Sequence, residues 1–120
     1  MDASADSVIL IDHLNGVLAA GEALSRYETV FVSIGAWIEV MAGAVSSKQV
    51  QAARLLAGFE VVELDLEIAV ATAELRRSSR LKIPDAVILA TARRLNVPLL
   101  TRNTKDFDPL DPSVIVPYVL

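Results

Sequence analysis

Residues 83–107, IPDAVILATARRLNVPLLTRNTKDF, form the most readable unit of the chain. Pro84 suits the first turn of a helix, DAVILATARRL continues that helix with basic residues in its last turn, and Asn96 supplies a stop. The apolar run VPLLT (97–101) predicts a buried strand, which is followed by a polar loop at 102–112. Helices that alternate with buried strands are typical of a parallel α/β sheet.

The segments outside this unit extend the same alternation. Strands are predicted at TVFVS (29–33), VVEL (61–64) and SVIVPYV (113–119). Apolar residues at helical spacing predict two short helices separated by Asn15-Gly16, and three longer ones: 34–44 capped by Ser33, one through 59 capped by Ser47, and one from Asp65 to the basic cluster at 76–80. The predicted fold class is α/β: a three-layer α/β/α arrangement with a central, mainly parallel sheet of about four to five strands.

Length and composition fit one domain. With 120 residues, of which 53% are hydrophobic, the chain has enough apolar material for one packed core, so 1–120 is treated as a single domain. The chain has no cysteine, which excludes disulfides and thiolate metal sites. Any metal would be held mainly by oxygen, which favours hard cations over zinc.

Charge and hydropathy restrict the location and the partners. The N-terminus, MDASADSVILID, lacks the basic opening of a signal peptide, and no apolar run is long enough for a bilayer, so a cytoplasmic protein without a membrane partner is expected. The net charge of −4 argues against simple electrostatic wrapping of nucleic acid. Eight of the eleven basic residues follow position 75, however, so a local basic rim remains compatible with the acidic total.

Polar residues at the ends of the predicted strands are the candidates for a functional site, because ligands of open parallel sheets bind beyond the carboxyl ends of the strands. Asp6 would follow the first strand, and Ser33 ends the second, with Glu39 in the helix after it. Asp85 lies instead in the first turn of a helix. Three further polar residues follow the fourth strand: Thr101, Asn103 and Asp106.

Each of these acids has an ordinary explanation by itself. Asp85 is favoured by the helix dipole, Glu39 could be a solvated acid of an amphipathic helix, and Asp106 a turn residue. His13 is interpreted as a helix-surface residue. The basic residues before the last helix are interpreted as a solvated helix end: Arg76, Arg77, Arg80 and Lys82. A function must therefore rest on the acids acting together.

Three blocks of the sequence together resemble one family over essentially the whole chain. DSVILIDHLNG (6–16) is similar to the family's opening segment, and VSIGAWIEVMAGA (32–44) is similar to a block that carries a glutamate, here Glu39. Residues 83–107 match a block with Asp85 on the helix and TRNTKDF in the loop. The family is that of the PIN-domain ribonucleases, best known as the VapC toxins of bacterial toxin–antitoxin pairs. The resemblance implies a PIN-like fold and a Mg²⁺- or Mn²⁺-dependent endoribonuclease.

The resemblance also implies roles for individual residues. Asp6 and Asp85 would be the principal metal ligands, and Glu39 and Asp106 would complete the cluster directly or through water. The residues expected to support these ligands are Thr101, Asn103 and Ser33, and those expected to contact substrate phosphates are Arg102 and Lys105. The implied partners are an RNA substrate, a cognate antitoxin protein and a second copy of the chain in a homodimer.

One feature departs from the family pattern. Only MDASA precedes Asp6, where the family has an apolar strand, so the sequence leaves open whether the first strand is intact. Asp12 follows a better apolar run, VILI. Making Asp12 the first ligand would leave the Ile-Asp-His-Leu segment without a counterpart and would make the interval to Glu39 too short. Asp6 therefore remains the candidate.

Two other functions compete with this one. A phosphoacceptor receiver domain could use Asp65 as a loose acceptor, but no lysine lies near the last predicted strand, where that class needs one. A PIN-like module that forms complexes without catalysis would keep the fold. The presence of all four acids favours the enzyme.

Overall fold

The computed structural model describes all of residues 1–120 and contains five β-strands and six α-helices. The first half of the chain forms β1 (Asp2–Ala5), α1 (Ser7–Leu14), α2 (Leu18–Ser25), β2 (Thr29–Ser33), α3 (Ile34–Gly43), a short 3-10 helix (Ser46–Lys48) and α4 (Gln49–Ala57). The second half forms β3 (Glu60–Val62), α5 (Leu66–Ser78), α6 (Ile83–Arg94), β4 (Leu99–Leu100) and β5 (Val114–Ile115).

All five strands belong to one sheet in the order β3-β2-β1-β4-β5, and every neighbouring pair is parallel. The predicted α/β fold is confirmed, with a sheet that is parallel throughout and helices packed around it. β1 is the central strand, and the direction in which strands are added to the sheet reverses between β1 and β4. Such a reversal is a topological switch point, where open sheets bind ligands.

The sequence left open whether the strand before Asp6 is intact, and the structure answers this question. β1 is intact: Ala3 pairs with β2, and Ala5 pairs with Leu100 of β4. Ala3, Ser4 and Ala5 are completely buried. Small side chains suffice in a central strand that is covered on both faces, because tertiary packing there outweighs the low strand propensity of Ala and Ser.

Several other predicted boundaries also differ from the structure. Ser47 does not cap a helix; it lies within the 3-10 helix, and α4 begins without a side-chain cap. The strands predicted at 97–101 and 113–119 are reduced to two residues each. Pro98 and Pro117 flank these short strands and lack the N–H that would extend the pairing.

Three predicted helix boundaries are confirmed by local contacts. The hydroxyl of Ser33 accepts a hydrogen bond from the N–H of Ala36 (3.1 Å), and Asp65 accepts one from the N–H of Ile68 (2.8 Å). Asn96 follows α6 with a φ of 56°, the left-handed conformation that ends many helices. These ends depend on neighbours in the chain, which is why the sequence predicts them.

α3 packs closely against the start of α6, and this contact places two of the candidate acids near each other. A Cβ atom on Gly35 of α3 would lie 3.3 Å from the carbonyl oxygen of Pro84, so only glycine fits comfortably here. As a result, Glu39 of α3 lies near Asp85, and the charge of Glu39 raises the pKa of Asp85. None of the helices combines the length and apolar character needed to cross a lipid bilayer.

Candidate functional site

The four predicted acids gather at the switch point between β1 and β4. The N–H of Asp6 donates to the carbonyl of Leu100 (2.9 Å), which ties the end of β1 to the end of β4. Asp6 caps α1, Glu39 lies in the second turn of α3, Asp85 lies in the first turn of α6, and Asp106 follows β4. Four separate segments therefore supply one carboxylate each to the same edge of the sheet.

Asp6 is the buried member of the group, with 2% of its surface exposed. Its Oδ1 accepts a hydrogen bond from the N–H of Ser7 (2.8 Å), and its Oδ2 accepts one from the hydroxyl of Thr101 (2.7 Å). The Thr101 hydroxyl in turn accepts a hydrogen bond from the N–H of Asn103 (3.0 Å). Contacts from the first residue of α1 and from the residue after β4 thus hold this carboxylate in place.

The other three acids are progressively more accessible. Glu39 and Asp85 are half-buried, and Asp106 is exposed. Asp106 is held by Asn103, whose amide nitrogen donates to Asp106 Oδ2 (2.9 Å) and whose amide oxygen accepts from the N–H of Asp106 (3.3 Å). The predicted supporting residue Asn103 therefore contacts an acid directly, as Thr101 does.

Ser7 links Asp6 to Glu39, a contact that was not predicted from the sequence. Its hydroxyl donates to Glu39 Oε1 (3.0 Å) and also lies 3.4 Å from Asp6 Oδ1. The sequence Asp6-Ser7 could have indicated this contact, because a serine that directly follows the N-cap acid places its hydroxyl at the same end of the helix as the carboxylate. The relation to Glu39 becomes visible only when α1 and α3 are packed together.

The pKa values of two acids reflect burial and mutual repulsion. Burial is the main cause that raises the pKa of Asp6 from 3.8 to about 6, and the charges of Glu39 and Asp85 add to the effect against opposing hydrogen bonds. The pKa of Asp85 is also raised to about 6, first by burial and then by Glu39 and Asp106. Two of the four acids are therefore in an environment that penalises their negative charge.

The remaining predicted site residues lie around the acids. Ser33 is completely buried and caps α3. Lys105 is exposed in the loop after β4. Arg102 is engaged with Asp12 of α1, through Nε (2.6 Å to Oδ2) and Nη2 (2.9 Å to Oδ1). Asp12, the alternative first ligand, thus forms an ion pair with Arg102.

Two residues outside the acidic group, His13 and Arg76, make contacts within the fold. The ring of His13 lies so close to α2 that a Cβ atom on Gly21 would be 3.2 Å from it. Arg76 donates to the carbonyl of Leu81 (2.7 Å) beyond the end of α5, in agreement with its interpretation as part of a helix end. Neither residue contacts the acidic group.

The donor set of the group has the chemistry preferred by a hard divalent cation, since it consists of carboxylates with neighbouring hydroxyl and amide oxygens. In the structure, no three acidic or imidazole side chains are placed so that they could hold a metal ion together. Repulsion between like charges favours this separation. Glu39 and Asp85 are half-buried and Asp106 is exposed, so the group faces an open edge of the sheet.

Comparison with known proteins relates this arrangement to one family. The family model of the PIN domain matches residues 2–111. A chain in a solved toxin–antitoxin complex from Klebsiella pneumoniae is 40% identical to this one, with a TM-score of 0.88 over 98% of this chain and 99% of that chain. No curated protein matches the sequence.

Two more distant structures share the fold. A chain of FitAcB from Neisseria gonorrhoeae is 21% identical, with a TM-score of 0.74 and full coverage (100%) of both chains. A chain of VapBC2 from Rickettsia felis, crystallised with a DNA fragment from the promoter, is 22% identical, with a TM-score of 0.73 over 96% of each chain. Since the family model spans nearly the whole sequence and the relative from Klebsiella pneumoniae is similar almost end to end, this chain belongs to the PIN domain family.

Proposed function

We propose that the protein is a metal-dependent endoribonuclease and the toxin component of a toxin–antitoxin pair. The observation that carries this proposal is the gathering of Asp6, Glu39, Asp85 and Asp106 at one open edge of the sheet, close enough to influence one another's charge. Membership of the PIN domain family and the similarity to a chain of a toxin–antitoxin complex support the same function.

Asp6 and Asp85 are the proposed direct ligands of Mg²⁺ or Mn²⁺, and Glu39 and Asp106 complete the set directly or through water. When bound, the ion would offset the carboxylate charges and act as a Lewis acid towards a phosphodiester and an attacking water. Asp6 and Asp85 would then be held in their ionised forms at neutral pH. This gives a physical reason to assemble acids that repel one another in the metal-free protein.

The surrounding residues are proposed to hold the acids and to meet the substrate. Thr101 orients Asp6, and Asn103 orients Asp106, through the hydrogen bonds described above. Lys105 lies in the same loop and is the candidate to contact an RNA phosphate. Arg102, the other residue expected to do so, has its guanidinium held by Asp12. The open edge suits single-stranded or looped RNA, which can approach a site that is not enclosed.

Cleavage of mixed cellular RNA by the purified protein tests this proposal. RNA should be cut internally in buffer with Mg²⁺ or Mn²⁺, should remain intact in EDTA, and should be protected when the cognate antitoxin is added. Intact RNA with either metal, together with an unchanged melting temperature on addition of Mn²⁺, would reject the enzyme. That result would favour the alternative of a PIN-like module that binds partners without catalysis.

Ser7→Ala is expected to slow RNA cleavage about tenfold, because Glu39 loses the hydroxyl that positions it. The effect on stability should be small, since the N–H of residue 7 still donates to Asp6. Ser7→Thr keeps a hydroxyl and serves as the matched control, with activity closer to that of the parent. Parent-like cleavage rates for Ser7→Ala would show that this contact does not contribute.

The stability of the metal-free protein is expected to fall as the pH rises from about 4 to 7. The pKa of Asp6 is about 6 in the folded state and 3.8 as the ordinary value, so the folded state retains a proton that the unfolded chain has lost. Loss of that proton removes stability on the order of 2–3 kcal/mol from a carboxylate this buried, and Asp85 acts in the same direction.

Thermal unfolding at several pH values, with and without Mn²⁺, measures this effect. The Mn²⁺-induced rise in melting temperature should be larger at pH 7 than at pH 5, because the metal competes with protons for the carboxylates. Asp6→Asn provides the control, since its stability should depend less on pH in this range. A parent protein that becomes more stable between pH 4 and 7 without metal would contradict the assignment.

An antitoxin and a second copy of the chain are the proposed protein partners. Large apolar side chains are exposed on several elements, which is compatible with protein–protein contacts: Leu18, Ile38, Leu66, Ile83 and Leu110. A receiver domain is disfavoured, because Asp65 is engaged as the cap of α5 and stands outside the acidic group.

A further inference from the structure

Asp12 joins three distant parts of the chain although it lies outside the acidic group. It is 6% exposed, and its carboxylate accepts hydrogen bonds from Arg102 Nε (2.6 Å), Arg102 Nη2 (2.9 Å) and the hydroxyl of Tyr118 (2.7 Å). The hydrogen bonds from Arg102 are the main cause that lowers the pKa of Asp12. A buried carboxylate needs such partners, because an unpaired buried charge is costly.

Arg102 stands between the two residues that hold the acids. Thr101 donates to Asp6, and Asn103 donates to the side chain of Asp106. The segment from 101 to 107 has no helix or strand, so its conformation depends on individual contacts. The pair with Asp12 is the only salt bridge made by this segment, and it joins the segment to α1.

We infer that the network of Asp12, Arg102 and Tyr118 positions the loop after β4, and thereby sets the location of Asp106 relative to Asp6. The inference rests on the proposed function, because it describes how the proposed metal site is kept in order. Asp12, Arg102 and Tyr118 are positioning residues in this role. Arg102 then acts through its neighbours Thr101 and Asn103, whereas a phosphate-binding arginine would act on RNA itself.

The two roles of Arg102 predict different results for Asp12→Asn. This substitution leaves the arginine cation in place and removes its charged partner. An arginine that only binds RNA would be at least as available as before, so the metal response would not change. An arginine that positions the loop would lose its anchor, and the response to metal would weaken.

Hydrogen exchange gives a readout that needs neither metal nor RNA. The N–H groups of Asn103 and Phe107 donate to Thr101 Oγ1 (3.0 Å) and to the carbonyl of Asn103 (3.1 Å), and they report whether the loop is closed. Asp12→Asn should speed their exchange about tenfold while amides of α6 keep their protection. Tyr118→Phe, which removes one hydrogen bond, should have a smaller effect in the same direction.

Metal binding and kinetics supply the second readout. Asp12→Asn and Arg102→Gln should each raise the Mn²⁺ concentration for half-maximal thermal stabilisation about tenfold, and should lower kcat by a similar factor with little change in KM for RNA. The double variant should be no worse than either single one, because both remove the same contact. Asp111→Asn is the matched control: it breaks the Arg–Asp pair between Asp111 and Arg93, which lies outside the segment 101–107, and should leave both quantities unchanged.

The outcomes separate this inference from the proposed function. Parent-like exchange at Asn103 and Phe107 in Asp12→Asn would overturn the inference, whatever the protein cleaves. A parent protein without cleavage or Mn²⁺ response would reject the proposed function, and the exchange rates would still decide the role of Asp12. If Asp12→Asn does not fold, the same exchange measurement on the double variant Asp12→Asn/Arg102→Gln decides, since that variant removes both charges of the pair.

Discussion

Asp85→Asn is expected to lower the rate of RNA cleavage by about 10³-fold or more, because it removes a proposed direct metal ligand. The same substitution should stabilise the metal-free protein. Asp85 is half-buried and its pKa is raised to about 6 by burial and by the charges of Glu39 and Asp106. A neutral amide of the same shape removes that repulsion and keeps the acceptable helix start. Activity and stability should thus change in opposite directions.

Cleavage assays and thermal unfolding, with and without Mn²⁺, measure both changes. The melting temperature of Asp85→Asn should exceed that of the parent in EDTA, and Mn²⁺ should raise it less than it raises the parent's. Asp108→Asn is the matched control, since Asp108 is an exposed acid near the site that caps a turn at Leu110 and has no contact with the four acids. A variant at Asp85 that cuts RNA as fast as the parent would remove this residue from the proposed site.

Phe107→Ala is expected to destabilise the protein by about 3–5 kcal/mol and to lower its melting temperature by about 10–20 °C. Phe107 is 2% exposed and belongs to the hydrophobic core, although it closes an otherwise polar loop. Because Phe107 directly follows Asp106, its buried ring anchors the segment that carries this acid. Its N–H also donates to the carbonyl of Asn103 in the same segment. Metal-dependent cleavage should therefore fall even at temperatures where the variant remains folded.

Denaturant unfolding and a cleavage assay at low temperature check this expectation. Phe107→Leu keeps most of the apolar volume and should cost less than half as much stability as Phe107→Ala. A loss below about 1 kcal/mol for Phe107→Ala would show that the ring does not anchor the loop. Reduced stability with an unchanged response to Mn²⁺ would show that Phe107 stabilises the core but does not position the loop that carries Asp106.

Local patterns predicted the parts of the fold that depend on near neighbours. Pro84, Asn96 and the capping residues Ser33 and Asp65 mark real helix boundaries, because a cap or a stop is a contact within a few residues. Strand lengths were predicted less well. A strand ends where its neighbour stops pairing, and the neighbour of β4 is β1, at the other end of the sequence.

The sequence also indicated some residues of the candidate site and missed some of its contacts. Glu39, Asp85 and Asp106 could be singled out because each lies in a recognisable helix or follows a recognisable strand. Asp6 could be singled out only because the three blocks together resemble the PIN family. Their assignment as metal ligands remains a prediction. Two other contacts were missed: the hydrogen bond from Ser7 to Glu39, and the ion pair of Asp12 with Arg102, a residue assigned another role in the sequence analysis.

By itself, the sequence determined the alternation of helices and strands and the mainly parallel sheet, and it singled out the four candidate acids. The tertiary structure decided that the polar-looking segment before Asp6 is the central strand, and that Arg102 contacts Asp12 across 90 positions of sequence. The physical reason is the range of the interactions. Caps and amphipathic faces are encoded by residues a few positions apart, whereas the burial of β1 and the pairing of Asp12 arise only when helices and strands from both ends of the chain pack together.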